Sequence, residues 1–123
     1  MTLIERIEAV RAADHAELDA IDLAIAEWCY NGGAPGLVNY DPEMWLIRNG
    51  GWARSIDAAV ALAERVHPCW AWSVGQNVRS GLWVAYALAR GDDRAPYQPT
   101  SGTARHPALA LLAAILRAKE GEG

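Results

Sequence analysis

Two runs of large apolar side chains predict a β-sheet in this chain: Cys69-Trp70-Ala71-Trp72-Ser73-Val74 and Leu82-Trp83-Val84-Ala85-Tyr86-Ala87-Leu88. The first run alternates large and small side chains with the period of two that a half-buried β-strand requires. The second run is apolar on both faces, which favours a central or doubly covered strand. Because only the polar turn 76–81 separates the two runs, they predict a β-hairpin.

Helical patterns surround this hairpin. Thr2-Leu3-Ile4-Glu5 has the form of a capping box, and it begins a helix predicted over residues 3–12. A second helix is predicted from 15 to about 29, with Asn31-Gly32-Gly33 as its end. Ser55 is expected to cap a third helix, whose apolar face repeats at helical spacing until a proline stops it.

The remaining segments complete the predicted architecture. Met44-Trp45-Leu46-Ile47 is expected to form a short strand, and residues 90–105 a polar loop. Pro107 begins the last helix, because proline is well suited to a first helical position. The sequence therefore predicts one domain over residues 1–123, of class α+β, in which helices pack on a small antiparallel sheet of about three strands, in the order α-α-β-α-β-β-α.

Composition excludes several function classes. The chain has 123 residues, with 15 acidic and 11 basic side chains and a net charge of −4, which argues against direct nucleic-acid or anionic-lipid binding. We expect no membrane segment, because no apolar run approaches the roughly 20 residues that a spanning helix needs. The acidic N-terminus is unlike a signal peptide, so a cytoplasmic location in the host cell is expected. Cys29 and Cys69 are expected to be reduced.

The acidic side chains are concentrated at one end of the chain. Residues 1–30 carry seven acids and two bases, so 2 − 7 = −5, whereas the rest carries 9 − 8 = +1. Glu17, Asp19 and Asp22 are expected to share an exposed side of the second helix, where they would attract a basic protein partner. The alternative is an acidic helix face that is merely solvated.

Tryptophans provide a second candidate surface. Trp45 and Trp52 lie in a glycine-rich stretch beside Arg48 and Arg54, and we expect them to be exposed. Exposed tryptophan next to arginine is typical of the residues that contribute most to protein–protein binding. The tryptophans of the hairpin are instead expected to pack in the core, because the interleaved basic residues of a base-stacking platform are absent from these strands.

No motif for catalysis is evident. His67 and Cys69 are too few for zinc, which needs three or four ligands, and Asp92-Asp93 is expected to be a solvated turn. Nucleophile-elbow and phosphate-binding glycine motifs are also absent from the sequence. We therefore expect no enzyme activity, no metal and no cofactor.

Several of these segments together resemble one protein family. In order they are Glu17-Leu18-Asp19-Ala20, Ser55-Ile56-Asp57-Ala58-Ala59-Val60-Ala61-Leu62, Trp70-Ala71-Trp72-Ser73-Val74 and Pro107-Ala108-Leu109-Ala110-Leu111-Leu112. Together they resemble small phage and prophage proteins of the type called the phage α/β/α sandwich domain. His106 departs from that group, which usually has Thr or Ser at the helix cap. The resemblance implies a mobile-element origin and a compact sandwich, and it carries over no catalytic residues.

Two functions from different classes follow as hypotheses. The first is a non-catalytic phage accessory protein that binds another protein, for example as an inhibitor of a host defence complex of the anti-CRISPR kind. The second is a structural or assembly-associated phage protein, or one that self-associates into a homo-oligomer. A small-molecule binder with a tryptophan-lined pocket is a further alternative. Salt dependence distinguishes the first two, because only docking through charges slows as salt increases.

Overall fold

A computed structural model describes residues 2–10, 15–67, 70–89 and 100–121. The helices are α1 (Leu3–Glu8), α2 (His15–Trp28), α3 (Pro42–Asn49), α4 (Ile56–Val66) and α5 (Pro107–Gly121), with a π-helical turn, Cys29–Gly33, after α2. The strands are β1 (Trp70–Gln76), β2 (Trp83–Ala89) and β3 (Thr100–Ala104). They form an antiparallel sheet in the order β1-β2-β3, so the α+β class and the predicted hairpin are confirmed.

The helix starts follow from local capping chemistry. The Thr2 hydroxyl accepts a hydrogen bond from the Glu5 amide at 3.2 Å, and the Ser55 hydroxyl accepts one from the Ala58 amide at 3.2 Å. Gly32 has φ 114°, which ends the α2 segment where the sequence predicted. Helix α1 ends at Glu8, short of the predicted boundary, and residues 11–14 lie outside the described part of the chain.

One predicted strand is wrong. Met44–Ile47 lies in α3, where the Asp41 side chain accepts a hydrogen bond from the Glu43 amide at 3.0 Å and Pro42 occupies the first turn. The third strand is β3, inside the segment that was predicted to be a polar loop. The rest of that loop, residues 90–99, lies outside the described residues and includes Asp92-Asp93.

Helix α5 forms the centre of the core. Every residue from Ala108 to Leu116 is buried, so this helix is covered on all sides, as its continuous apolar sequence requires. It contacts β3, β2, α4 and α1. Gly102 permits the close approach to β3, because a Cβ at that position would overlap the carbonyl oxygen of Ala110. Within the described residues, no helix is both long enough and apolar enough to cross a membrane.

The two faces of the sheet have different environments. Trp72, Val74 and Trp83 pack against the buried core. The central position of β2 is confirmed, but Tyr86 on its other face is 43% exposed, so that face reaches solvent. Val84, which lies on the same face as Tyr86, is only half-buried. The side chains of Cys69 and Trp70 lie outside the described part of the structure.

Candidate functional site

Asp22 is a buried carboxylate that joins α2 to the segment after α3. Its Oδ1 accepts hydrogen bonds from the amides of Trp52 and Ala53, at 2.8 and 2.9 Å. The residue is only 5% exposed. Burial raises the pKa of Asp22 above its ordinary value of 3.8, while the two amide donors and Arg54 act in the opposite direction. Because one oxygen satisfies two backbone donors, Asp22 fixes the path of residues 52–53.

Gly51 lies directly against this carboxylate. A Cβ at position 51 would overlap Oδ2 of Asp22, so glycine is the residue that allows the chain to pass this close. The next residue, Trp52, is buried and stacks on Trp45 of α3, with ring centroids 5.2 Å apart and ring planes inclined by 14°. Asp22 and this aromatic pair together hold α3 and the 50–54 segment beside α2.

Arg54 connects the same segment to the start of α2. Its guanidinium donates to Asp19 Oδ1 at 2.9 Å and to the carbonyl oxygen of His15 at 3.1 Å. Both side chains are largely exposed, so this ion pair contributes little to stability by itself. Its geometric effect is to keep the guanidinium at the first turns of α2.

These elements enclose a cleft of about 550 Å³ between α2, α3 and the 50–54 segment, which we call the α2–α3 cleft. Its walls are mainly apolar, and its acidic groups belong to Asp19, Asp22 and Glu43. Ile47 is 77% exposed and Met44 is 44% exposed, so α3 presents two large apolar side chains to solvent at the cleft. The lining residues are Asp19, Asp22, Leu23, Glu43, Met44, Leu46, Ile47, Gly50, Gly51 and Arg54.

Two of the three residues of the predicted acidic surface are exposed, and the third is buried. Glu17 and Asp19 are exposed, as expected. Asp22 is buried, and the expectation that it shares an exposed side with them is wrong. The physical reason is visible in the spacing, because position 22 is four residues after the buried Leu18 and three before the buried Ile25.

The predicted aromatic surface is corrected in the same way. Trp52 is buried and Trp45 is half-buried against it, so neither forms the exposed surface that was expected. Arg48 is exposed, with its guanidinium carbon 5.9 Å from the ring centroid of Tyr40. Arg54 is exposed and lines the cleft. The large exposed apolar groups at this site are instead Met44 and Ile47 of α3.

Sequence reasoning missed Met44, Ile47 and Gly51. Had residues 42–49 been identified as a helix, the spacing of three between Met44 and Ile47 would have placed both on one face. Asp41-Pro42 followed by Glu43 is the local signal for that helix, since it combines a cap, a first-turn proline and an acidic residue near the helix N-terminus. Nothing in the local sequence indicates that Gly51 contacts Asp22, which lies on another helix.

A second, smaller cleft of about 330 Å³ lies between α2 and the start of α5. Two histidines line it, His15 and His106, and Nε2 of His106 is buried without a hydrogen-bond partner in the described structure. Among the residues that the structure describes, no group of three or more histidine, cysteine, aspartate or glutamate side chains is placed to bind a metal ion. Two histidines alone do not make a zinc site.

The chain was compared with known protein families, curated proteins and solved structures, and none of them matches. The resemblance to the phage α/β/α sandwich group therefore stays a prediction from short motifs.

Proposed function

We propose that this chain is a non-catalytic phage or prophage accessory protein that acts by binding another protein through the α2–α3 cleft. The observation that carries the proposal is the exposure of Ile47, at 77%, on the edge of an apolar cleft. A large aliphatic side chain in solvent contributes nothing to the fold, whereas covering it in a complex removes apolar area from water.

The charges at the cleft favour a basic partner. Asp19 and Glu43 are exposed acids at its walls, Asp22 lies deeper, and Arg54 is the basic residue among the lining side chains. Helix α2 adds further exposed acids outside the cleft, at Glu17 and Glu27. Such a field increases the association rate with a positively charged protein surface.

The partner that fits this chemistry is a protein with a basic, partly apolar surface. Host nucleases present basic grooves to nucleic acid, so inhibition of a host defence complex, as an anti-CRISPR protein does, is the form of the function that we propose. The action would then take place in the cytoplasm of the host cell. An assembly-associated phage protein with the same cleft is the alternative, and its partner would be another phage protein.

The test compares two substitutions of exposed apolar residues. Ile47→Ser removes the aliphatic group at the cleft, and Val78→Ser removes one that is 94% exposed in the turn between β1 and β2. Purified wild-type and variant chains are used to capture proteins from host and phage-infected lysates, and each captured protein is then produced and titrated by calorimetry. We expect Ile47→Ser to weaken binding at least tenfold and Val78→Ser to leave it unchanged. Equal binding by both variants would overturn the proposal.

A further inference from the structure

We infer, on the basis of the proposed function, that the α2–α3 cleft receives an arginine side chain of the partner protein, whose guanidinium pairs with Asp22. Only Oδ1 of Asp22 is used within the fold, by the amides of Trp52 and Ala53. Oδ2 has no hydrogen-bond partner in the described part of the chain, although the residue is 95% buried and lines the cleft. Oδ2 is not among the buried atoms that lack a partner, so it is accessible from the cleft, where a charged donor from the partner protein can bind it.

The apolar walls fit the rest of an arginine side chain. Leu23, Met44, Leu46 and Ile47 line the cleft around Asp22. Lysine and arginine bury their methylene stems along apolar surface while the charged end reaches a polar group. A long side chain that enters between α2 and α3 therefore finds apolar contacts along its stem and a carboxylate at its end.

The chain's own arginine at the cleft does not satisfy Oδ2. The guanidinium of Arg54 is hydrogen-bonded to Asp19 and to the carbonyl oxygen of His15, at the start of α2. Its positive charge is thus largely compensated by Asp19, at 2.9 Å. Asp22 and Glu43 are the remaining acids of the cleft, so one further cation is attracted.

Arginine fits this site better than lysine does. Its guanidinium is planar, has five donors and is more weakly hydrated than an ammonium group, so it loses less on entering a partly buried site. One of its N–H groups can donate to Asp22 Oδ2 while others remain available to Glu43 or solvent. Lysine would present a compact, strongly hydrated charge to a cleft whose walls are apolar.

The probe is Nα-benzoyl-arginine amide, with Nα-benzoyl-citrulline amide as a neutral compound of the same shape. Binding is followed in the ¹⁵N-labelled chain by NMR, through the backbone amides of Trp52 and Ala53, because both donate to Asp22. We expect the arginine compound to shift these signals in a saturable manner. The citrulline compound should bind about tenfold more weakly or worse, as expected for the loss of a hydrogen bond between charged groups.

Two charge-removing variants complete the experiment. Asp22→Asn keeps an oxygen acceptor for the two amides but removes the charge, and it should reduce binding of the arginine compound to the level of the citrulline compound. Glu27→Gln removes one charge from an exposed position of α2 outside the cleft, and it should have no effect. Equal affinity for the two compounds, absence of binding, or binding that is unchanged in Asp22→Asn would each overturn the inference.

The arginine-compound experiment and the Ile47→Ser capture experiment can fail independently of each other. If protein capture depends on Ile47 but the two compounds bind equally, the cleft is a docking site and the arginine assignment falls. If the arginine compound binds through Asp22 but protein capture is indifferent to Ile47, the guanidinium site stands and the proposed function falls.

Discussion

Arg117 of α5 donates hydrogen bonds to both carboxylate oxygens of Glu8 in α1, at 3.3 and 2.6 Å, although 109 positions separate the two residues. Each partner also binds the backbone of β3: Glu8 accepts from the Thr103 amide at 2.9 Å, and Arg117 donates to the Ser101 carbonyl at 2.6 Å. Strand β3 lies at an edge of the sheet. The pair therefore occupies backbone groups that an edge strand would otherwise present to another chain.

Glu8→Ala should destabilise the fold by about 1–3 kcal/mol, because it removes charge-assisted hydrogen bonds and leaves the Thr103 amide without its acceptor. Glu27→Ala, which removes an exposed acid of α2, is the control and should cost no more than about 0.5 kcal/mol. Urea unfolding followed by tryptophan fluorescence measures both. Similar losses in the two variants would contradict the role assigned to Glu8.

Gly51→Ala should destabilise the chain by about 1–3 kcal/mol, since the new methyl group overlaps the carboxylate of Asp22 and overpacking costs this much in buried sites. Gly75→Ala in β1 is the control, because a Cβ there meets no atom within 4 Å, and it should change stability by no more than about 0.5 kcal/mol. Thermal unfolding of the two variants provides the comparison. A Gly51→Ala protein as stable as Gly75→Ala would show that Asp22 moves aside without cost.

Asp22 should give stability an unusual dependence on pH. Burial raises its folded pKa above 3.8, so its contribution is fully present below that value and decreases as pH rises through the folded pKa. The wild type should therefore gain stability relative to Asp22→Asn as pH is lowered towards 4. Urea titrations of both proteins at several pH values test this. The prediction is contradicted if the difference in free energy of unfolding between the two proteins does not change with pH. It is also contradicted if Asp22→Asn becomes the relatively more stable protein at low pH.

Cys29 should be unreactive in the folded protein. The residue is 1% exposed, and burial raises the pKa of its thiol to about 12, so the reactive thiolate is scarce at neutral pH. In a Cys69→Ser background, Ellman's reagent should modify Cys29 only at the rate of unfolding, and rapidly in denaturant. Fast modification without denaturant would mean that the end of α2 opens locally.

The parts of the fold that follow from local chemistry were predictable. The caps at Thr2 and Ser55, the proline at the start of α5 and the alternating pattern of β1 each act within a few residues, and the structure confirms them. Strand β3 was not predictable, because Thr-Ser-Gly-Thr-Ala has the composition of a turn. Its extended form depends on pairing with β2 and on the packing of Gly102 against α5, both of which are tertiary contacts.

In the candidate site, too, the features set by local sequence were predictable and those set by tertiary contacts were not. The exposed acids Glu17 and Asp19 were evident from the sequence because an amphipathic helix places polar residues outward. The burial of Asp22 was indicated by its position within the apolar stripe of α2, between Leu18 and Ile25. The hydrogen bonds that Asp22 accepts from the amides of Trp52 and Ala53 could not be predicted, because these residues lie 30 and 31 positions later in the chain. No local sequence pattern indicates which distant backbone amides a carboxylate will bind.

The central position of α5 has a consequence for synthesis. This helix follows every other described element in the chain, yet the sheet, α1 and α4 all pack against it. On a translating ribosome, the apolar faces of the sheet, α1 and α4 that pack on α5 therefore emerge before the helix that covers them. We therefore expect packing of the sheet, α1 and α4 to be completed only once α5 has left the ribosome.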